Sequence, residues 1–199
     1  MEIEKIYMHW SATPYHWCNP GHYQKVVSGE GKVYHLNQWS DYLPEHTYAR
    51  NDNSTSIALA CMGGRGWKDY PPTPEQIEAM CLEIAKLCKK LEWTKDQITI
   101  QRIMTHAEAA ANKDYPIRLA QKVSGWHAPW STWQEREYLN KARLLGLPHE
   151  NYGPTRWYDG WPGGFADRWD LWQLRPNDKG GIGGTILRNK IAWYFKQLG

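Results

Sequence analysis

Apolar and polar positions along this chain alternate between two periods, and each change of period marks an element. Residues 3–9, IEKIYMH, read as a first strand that runs into a loop, WSATPYHWCNPG, whose Pro, Asn and Gly interrupt regular structure. HYQKVVSGEGKVYHL has the form of a hairpin turning around Gly29, Glu30 and Gly31. A loop of Asp, Asn and Ser leads to about Ser54, and SIALACMGG, a short apolar run bounded by glycines, suits a buried central strand. The clearest helix follows Pro72: Thr73 is placed to cap it, Pro74 takes its first position, and Gln76 stands three residues past the cap. Ile77, Met80, Cys81, Ile84, Ala85, Leu87 and Cys88 give that helix one apolar face. ITIQRIMTH reads as another strand, ending in a histidine, and helical stretches without a catalytic pattern occupy about 116–149. Turn-rich sequence follows, and the chain closes in a helix from about Thr185. With no repeat, low-complexity tract or linker, the pattern predicts one α/β domain built on a central sheet.

Composition narrows the class. A chain of 199 residues fits one core, and 41 % hydrophobic with 23 % charged residues is ordinary for a folded domain. Thirteen Trp and twelve Tyr against two Phe favour aromatics with a polar handle, suited to wet surfaces and sugar or peptide stacking as well as to cores. A net charge of +3 without any Lys/Arg run argues against nucleic acid or a membrane surface as partner. No apolar stretch reaches the roughly 18–20 residues of a membrane span, and the start, MEIEKIYMHW, lacks the basic and apolar order of a signal peptide. A cytoplasmic protein is therefore expected, with reduced thiols. Cys81 and Cys88 lie about 10 Å apart along the predicted helix, too far to bridge.

Two histidines carry the candidate chemistry, His9 in YMHWSATP and His106 in IMTHAEAA, each at a predicted strand end. Alone, either is an ordinary structural histidine, and HExxH, paired CxxC and phosphate-binding glycine loops are lacking. Their order among the other segments is more specific: H-x-S-A-T after a strand, a tyrosine-led hairpin, His46, S-I-A-L-A with two glycines, a Thr/Pro-capped helix, then T-H-A-E. In this order the chain resembles the type 2 N-acetylmuramoyl-L-alanine amidase family, which includes phage lysozyme-type amidases and peptidoglycan recognition proteins. The resemblance spans about 3–115 and resumes near 151, so 116–150 is expected to be a helical insertion.

What the resemblance implies is a mixed sheet flanked by helices holding one Zn²⁺ through two histidines and a third Cys or Asp, with the fourth position for water. His9 and His106 match the two histidines. For the third ligand the family pattern, a basic residue two before the ligand, fits Asp170 in ADRWDLW; Asp114 in NKDYP is the alternative, nearer His106 but with Lys113 only one residue away. Three protein ligands and one open position are the catalytic arrangement of zinc. Tyr23 matches the family's catalytic tyrosine, and Arg168 stands where a lysine is common; arginine stays protonated and suits charge stabilisation, not base catalysis. His46 is expected to contact substrate and Glu108 to orient a ligand. Gln24 replaces the histidine usual after the tyrosine, and Ala60 replaces a glutamate that assists catalysis in some members. The implied function is zinc-dependent hydrolysis of bacterial peptidoglycan by a monomeric endolysin, between N-acetylmuramic acid and L-alanine. The alternative is a noncatalytic muropeptide-binding module.

Overall fold

The computed structural model describes residues 2–19, 21–36, 45–47, 51–63, 69–110, 170–175, 178–179 and 181–199. Five strands, β1 (Lys5–Trp10), β2 (Lys25–Val27), β3 (Val33–His35), β4 (Ser54–Leu59) and β5 (Ile103–Thr105), form one sheet in the order β3-β2-β4-β1-β5. β1 lies parallel to β4 and β5, β2 parallel to β4, and β2 antiparallel to β3, so the sheet is mixed, as expected. Among the described residues the helices are α1 (Pro74–Lys90), α2 (His106–Ala110) and α3 (Gly183–Gln197), with a 3-10 turn at Lys95–Gln97.

The pleat of β1 separates core from site. Successive side chains of a strand point to opposite faces, and Ile6, Met8 and Trp10 enter the main core with Met80, Ile84, Leu187 and Ile191 from α1 and α3. Tyr7 and His9 take the other face, where Tyr7 packs with Met104 and Ala109. β4 divides likewise. Ile57 and Leu59 join the main core, while Ala58 and Ala60 lie with Val26 and Cys18, packed by Tyr23. Because Ala58 is the register partner of His9, the residue beside the histidine is small.

Several side chains lock these layers. Thr73 caps α1 as predicted, accepting from the Gln76 N–H at 3.1 Å, and its hydroxyl donates to the Gly29 carbonyl at 2.8 Å. The Gln76 amide, wholly buried, donates to the carbonyls of Val27 and Ala60 at 3.1 and 2.9 Å, tying the ends of β2 and β4 to the helix start. Gln24, in place of the family's histidine, accepts from the Ser56 N–H at 2.8 Å and the Ser56 hydroxyl at 2.5 Å, joining β2 to β4. The hairpin forms where expected, and Gly31 supplies the positive φ of 82° its turn needs. Cys18, Cys61, Cys81 and Cys88 are free and buried.

Two boundaries differ from the sequence expectation. The apolar run ITIQRIMTH yields only a three-residue strand, because residues 99–102 form a turn and His106 is the first residue of α2. The closing helix starts at Gly183, two residues early, because the glycine pair packs under neighbouring chain. The proposed insertion at 116–150 falls outside the described residues. Among the described residues, no helix is long and apolar enough to cross a membrane.

Candidate metal centre

Three of the predicted site residues converge. His9 comes from the site face of β1, His106 from the junction of β5 and α2, and Asp170 from the segment preceding α3. Their ligand atoms all lie within 4.8 Å of one another, and the three residues are 0 %, 4 % and 4 % exposed. Asp170 Oδ2 stands 3.3 Å from His9 Nδ1 and 3.6 Å from His106 Nδ1, and the two imidazoles meet edge to face with centroids 4.6 Å apart.

Backbone contacts explain how a residue so far along the chain arrives here. The Ala107 N–H donates to the Asp170 carbonyl at 3.3 Å, so the first turn of α2, which carries His106, also holds Asp170. Leu171 follows with a φ of 59°, a left-handed turn that sends its own side chain into the main core while Asp170 faces the histidines. Burial alone would push the Asp170 carboxyl up. The charges and hydrogen bonds of His106 and His9 outweigh it and hold the carboxyl well below the usual carboxylate range. The centre is thus a buried anion facing two imidazole nitrogens.

Around it lie the remaining candidates. Tyr23, half-buried, sets its ring 5.1 Å from that of His9 and donates its hydroxyl to the Trp10 carbonyl at 3.2 Å. His46 is 6 % exposed, 5.6 Å from the His9 ring, with both of its nitrogens in hydrogen bonds. Its ring packs against those of Tyr7 and His9 on β1. Burial, and then the nearby His9 and His106, push its ring well below the ordinary imidazole value, so it is neutral at pH 7. Arg168 and Asp114 lie outside the described residues.

Glu108, expected to orient a ligand, does so through the backbone that carries His106. Its carboxylate receives both Arg188 guanidinium nitrogens at 2.7 and 2.8 Å and the Thr105 N–H at 3.0 Å, while its own N–H donates to the Thr105 hydroxyl. Glu108 therefore pins the start of α2 to β5 and α3, and positions His106 through the backbone. Arg188, Thr47 and Ser54 were not legible as part of this region, since none stands in a spaced pattern with the histidines.

The family model described as N-acetylmuramoyl-L-alanine amidase matches residues 1–118. Similar solved structures include an endolysin amidase from Clostridium intestinale URNW, 14 % identical over 54 % of this chain and 71 % of that one, with a TM-score of 0.42. The Ph2119 endolysin from Thermus scotoductus MAT2119 bacteriophage Ph2119 is 19 % identical over 54 % and 73 %, with a TM-score of 0.40. Drosophila peptidoglycan recognition protein SD is 17 % identical over 65 % and 83 %, with a TM-score of 0.41. No curated protein matches the chain. With more than half of its length matched by the family model, the chain belongs to the type 2 N-acetylmuramoyl-L-alanine amidase family.

Proposed function

We propose that this protein is a zinc-dependent peptidoglycan hydrolase that cuts the amide between the lactyl group of N-acetylmuramic acid and the L-alanine of the stem peptide. The observation that carries the reading is the buried trio His9, His106 and Asp170, with ligand atoms within 4.8 Å of one another. Two imidazole nitrogens and one carboxylate fit zinc; calcium and magnesium prefer all-oxygen sets. Bound there, Zn²⁺ supplies Lewis acidity toward the scissile carbonyl and makes water acidic near neutral pH.

The chain's own groups do the rest. Asp170, held ionised, offsets the charge of the cation and keeps the site from accumulating net positive charge. Tyr23, beside the His9 ring, is assigned to donate its hydroxyl to the oxygen that becomes anionic as the amide carbon turns tetrahedral. That donation requires its bond to the Trp10 carbonyl to be exchanged for one to substrate. Arg168 is assigned to the same developing charge, from a permanently protonated side chain. The setting that suits such an enzyme is a phage endolysin, made in the host cytoplasm and acting on the wall after release.

Purified sacculi decide the matter. The enzyme should free peptides that begin at L-alanine, leave glycan strands at full length, stop on chelation and resume with Zn²⁺. Asp170→Ala should lose zinc and lysis, while Asp114→Ala keeps both. New reducing sugar ends would mean a glycosidase, and binding of sacculi without release of peptide by zinc-loaded protein would mean a muropeptide-binding module.

A further inference from the structure

A chain of buried hydrogen bonds runs from His9 away from the metal centre, and its polarity can be worked out from one end. The Ser54 hydroxyl donates to the Asn51 carbonyl at 2.9 Å, and a carbonyl only accepts. A hydroxyl has one proton, so toward His46 Nε2, 3.2 Å away, Ser54 accepts and Nε2 carries the hydrogen. With 6 % exposure and only hydroxyls, not carboxylates, on its two nitrogens, the His46 ring carries one proton, so Nδ1 is bare and receives the Thr47 hydroxyl proton at 2.8 Å. Thr47, its proton spent, accepts at 3.2 Å from His9 Nε2.

We infer that Thr47 and His46 are positioning residues for the metal centre, a relay that holds a proton on His9 Nε2 and so leaves Nδ1, which faces Asp170 and His106, as the nitrogen for the metal. The inference rests on the reading of His9, His106 and Asp170 as the zinc site. A ligating histidine ordinarily anchors its second nitrogen on a carbonyl, carboxylate or water. Here the anchor is a hydroxyl whose direction is set by a second histidine. The relay matters because Asp170, 3.3 Å from His9 Nδ1, attracts a proton to the nitrogen that has to ligate.

The surroundings keep the relay in register. Asn51 Oδ1 accepts the backbone N–H groups of both His46 and Thr47, at 3.2 and 2.9 Å, so the two residues are held as a unit. Thr47 and Ser54 are 1 % and 2 % exposed, which shuts out competing water. His46 thus has both ring nitrogens in this chain of bonds.

Long-range ¹⁵N–¹H correlation spectra of the wild-type histidine rings, with and without zinc, test the polarity directly. His9 should be protonated at Nε2 in both states, and His46 should be protonated at Nε2 with Nδ1 bare; a proton on His46 Nδ1 would overturn the relay. Zinc affinity, measured by chelator competition, should fall about 10–100-fold in Thr47→Val and return in Thr47→Ser. Thermal unfolding of the metal-free variants reports any loss of fold separately. Unchanged affinity in a folded Thr47→Val protein would also overturn it. If wild-type protein took up no zinc, the functional reading would fall while the ring-proton spectra still decided the relay.

Discussion

Gly183→Ala is the substitution for which general expectation and this structure disagree in sign. Gly183 opens α3 without a positive φ, so replacing it by alanine would ordinarily stabilise a helix by roughly 0.5–1 kcal/mol. Here a Cβ at 183 would stand 2.0 Å from the Leu171 carbonyl oxygen and 3.0 Å from its carbon. Both are backbone atoms, so no rotamer change relieves the overlap. Opening the contact to ordinary van der Waals distance requires about 1–1.5 Å of backbone movement. Leu171 is bonded to Asp170, and metal sites tolerate about 0.2 Å in ligand distance. The shift therefore exceeds what the centre can absorb, unless α3 moves instead and disturbs Leu187 and Ile191 in the core. We expect a loss of about 1–3 kcal/mol in urea unfolding of the metal-free protein, the usual cost of overpacking. We also expect zinc affinity weakened by at least tenfold. A variant as stable as wild type, with unchanged zinc affinity, would refute the packing of residues 170–172 against the start of α3.

Three further outcomes follow from particular contacts. Tyr23→Phe should lower turnover by about 10²–10³ with zinc content unchanged, the typical effect of removing one donor to a developing oxyanion; full turnover would leave Tyr23 as a packing partner of His9. Arg188→Met should cost about 3–5 kcal/mol in urea unfolding, because it removes the bidentate cation that offsets the buried Glu108 carboxylate; a loss below about 1 kcal/mol would show that its other contacts compensate. Lys25 and Glu83 pair between β2 and α1, and although burial pushes the Glu83 carboxyl up, Lys25 and His35 bring it below the ordinary value. Such a group stabilises the fold above the ordinary carboxylate range and ceases to as pH falls through its own lower value. Glu83→Gln should therefore cost up to about 1 kcal/mol at pH 7, screening at this part-exposed site included, and nothing once the pH has fallen below the lowered value of the Glu83 carboxyl. A difference that persisted in acid would mean the pair's charge is not what is being measured.

Much of the scaffold is legible in local pattern, because burial of one face and capping of an end are decided within a few residues. The 3.6-residue period and the Thr73, Pro74, Gln76 signature specify α1, and the structure has that capping box. The Gly-rich turn of the hairpin and the buried run at β4 are of the same kind. The order of motifs pointed to the family and to His9 and His106, and the R-W-D pattern favoured Asp170 with Asp114 as alternative; the structure gathers His9, His106 and Asp170 at one centre. Other features depend on which distant atoms packing brings within 3 Å, and no local period encodes that. Apolar content at 98–106 cannot tell a long strand from a turn, a short strand and a helix start, so the position of His106 waited on β5 pairing with β1 through residues 103–105. The commitment of Glu108 to Arg188 joins residues 80 apart, and the room for both Leu171 and Glu108 comes from the glycine pair 183–184. His46 is the sharpest case. No local pattern shows that residues 45–47 pack against Tyr7 and His9 of β1 and that each ring nitrogen finds a hydroxyl partner. Sequence thus determined which residue types stand where along each element. Tertiary packing decided which of them share a proton, because hydrogen bonding acts over a few ångströms of space and is indifferent to distance along the chain.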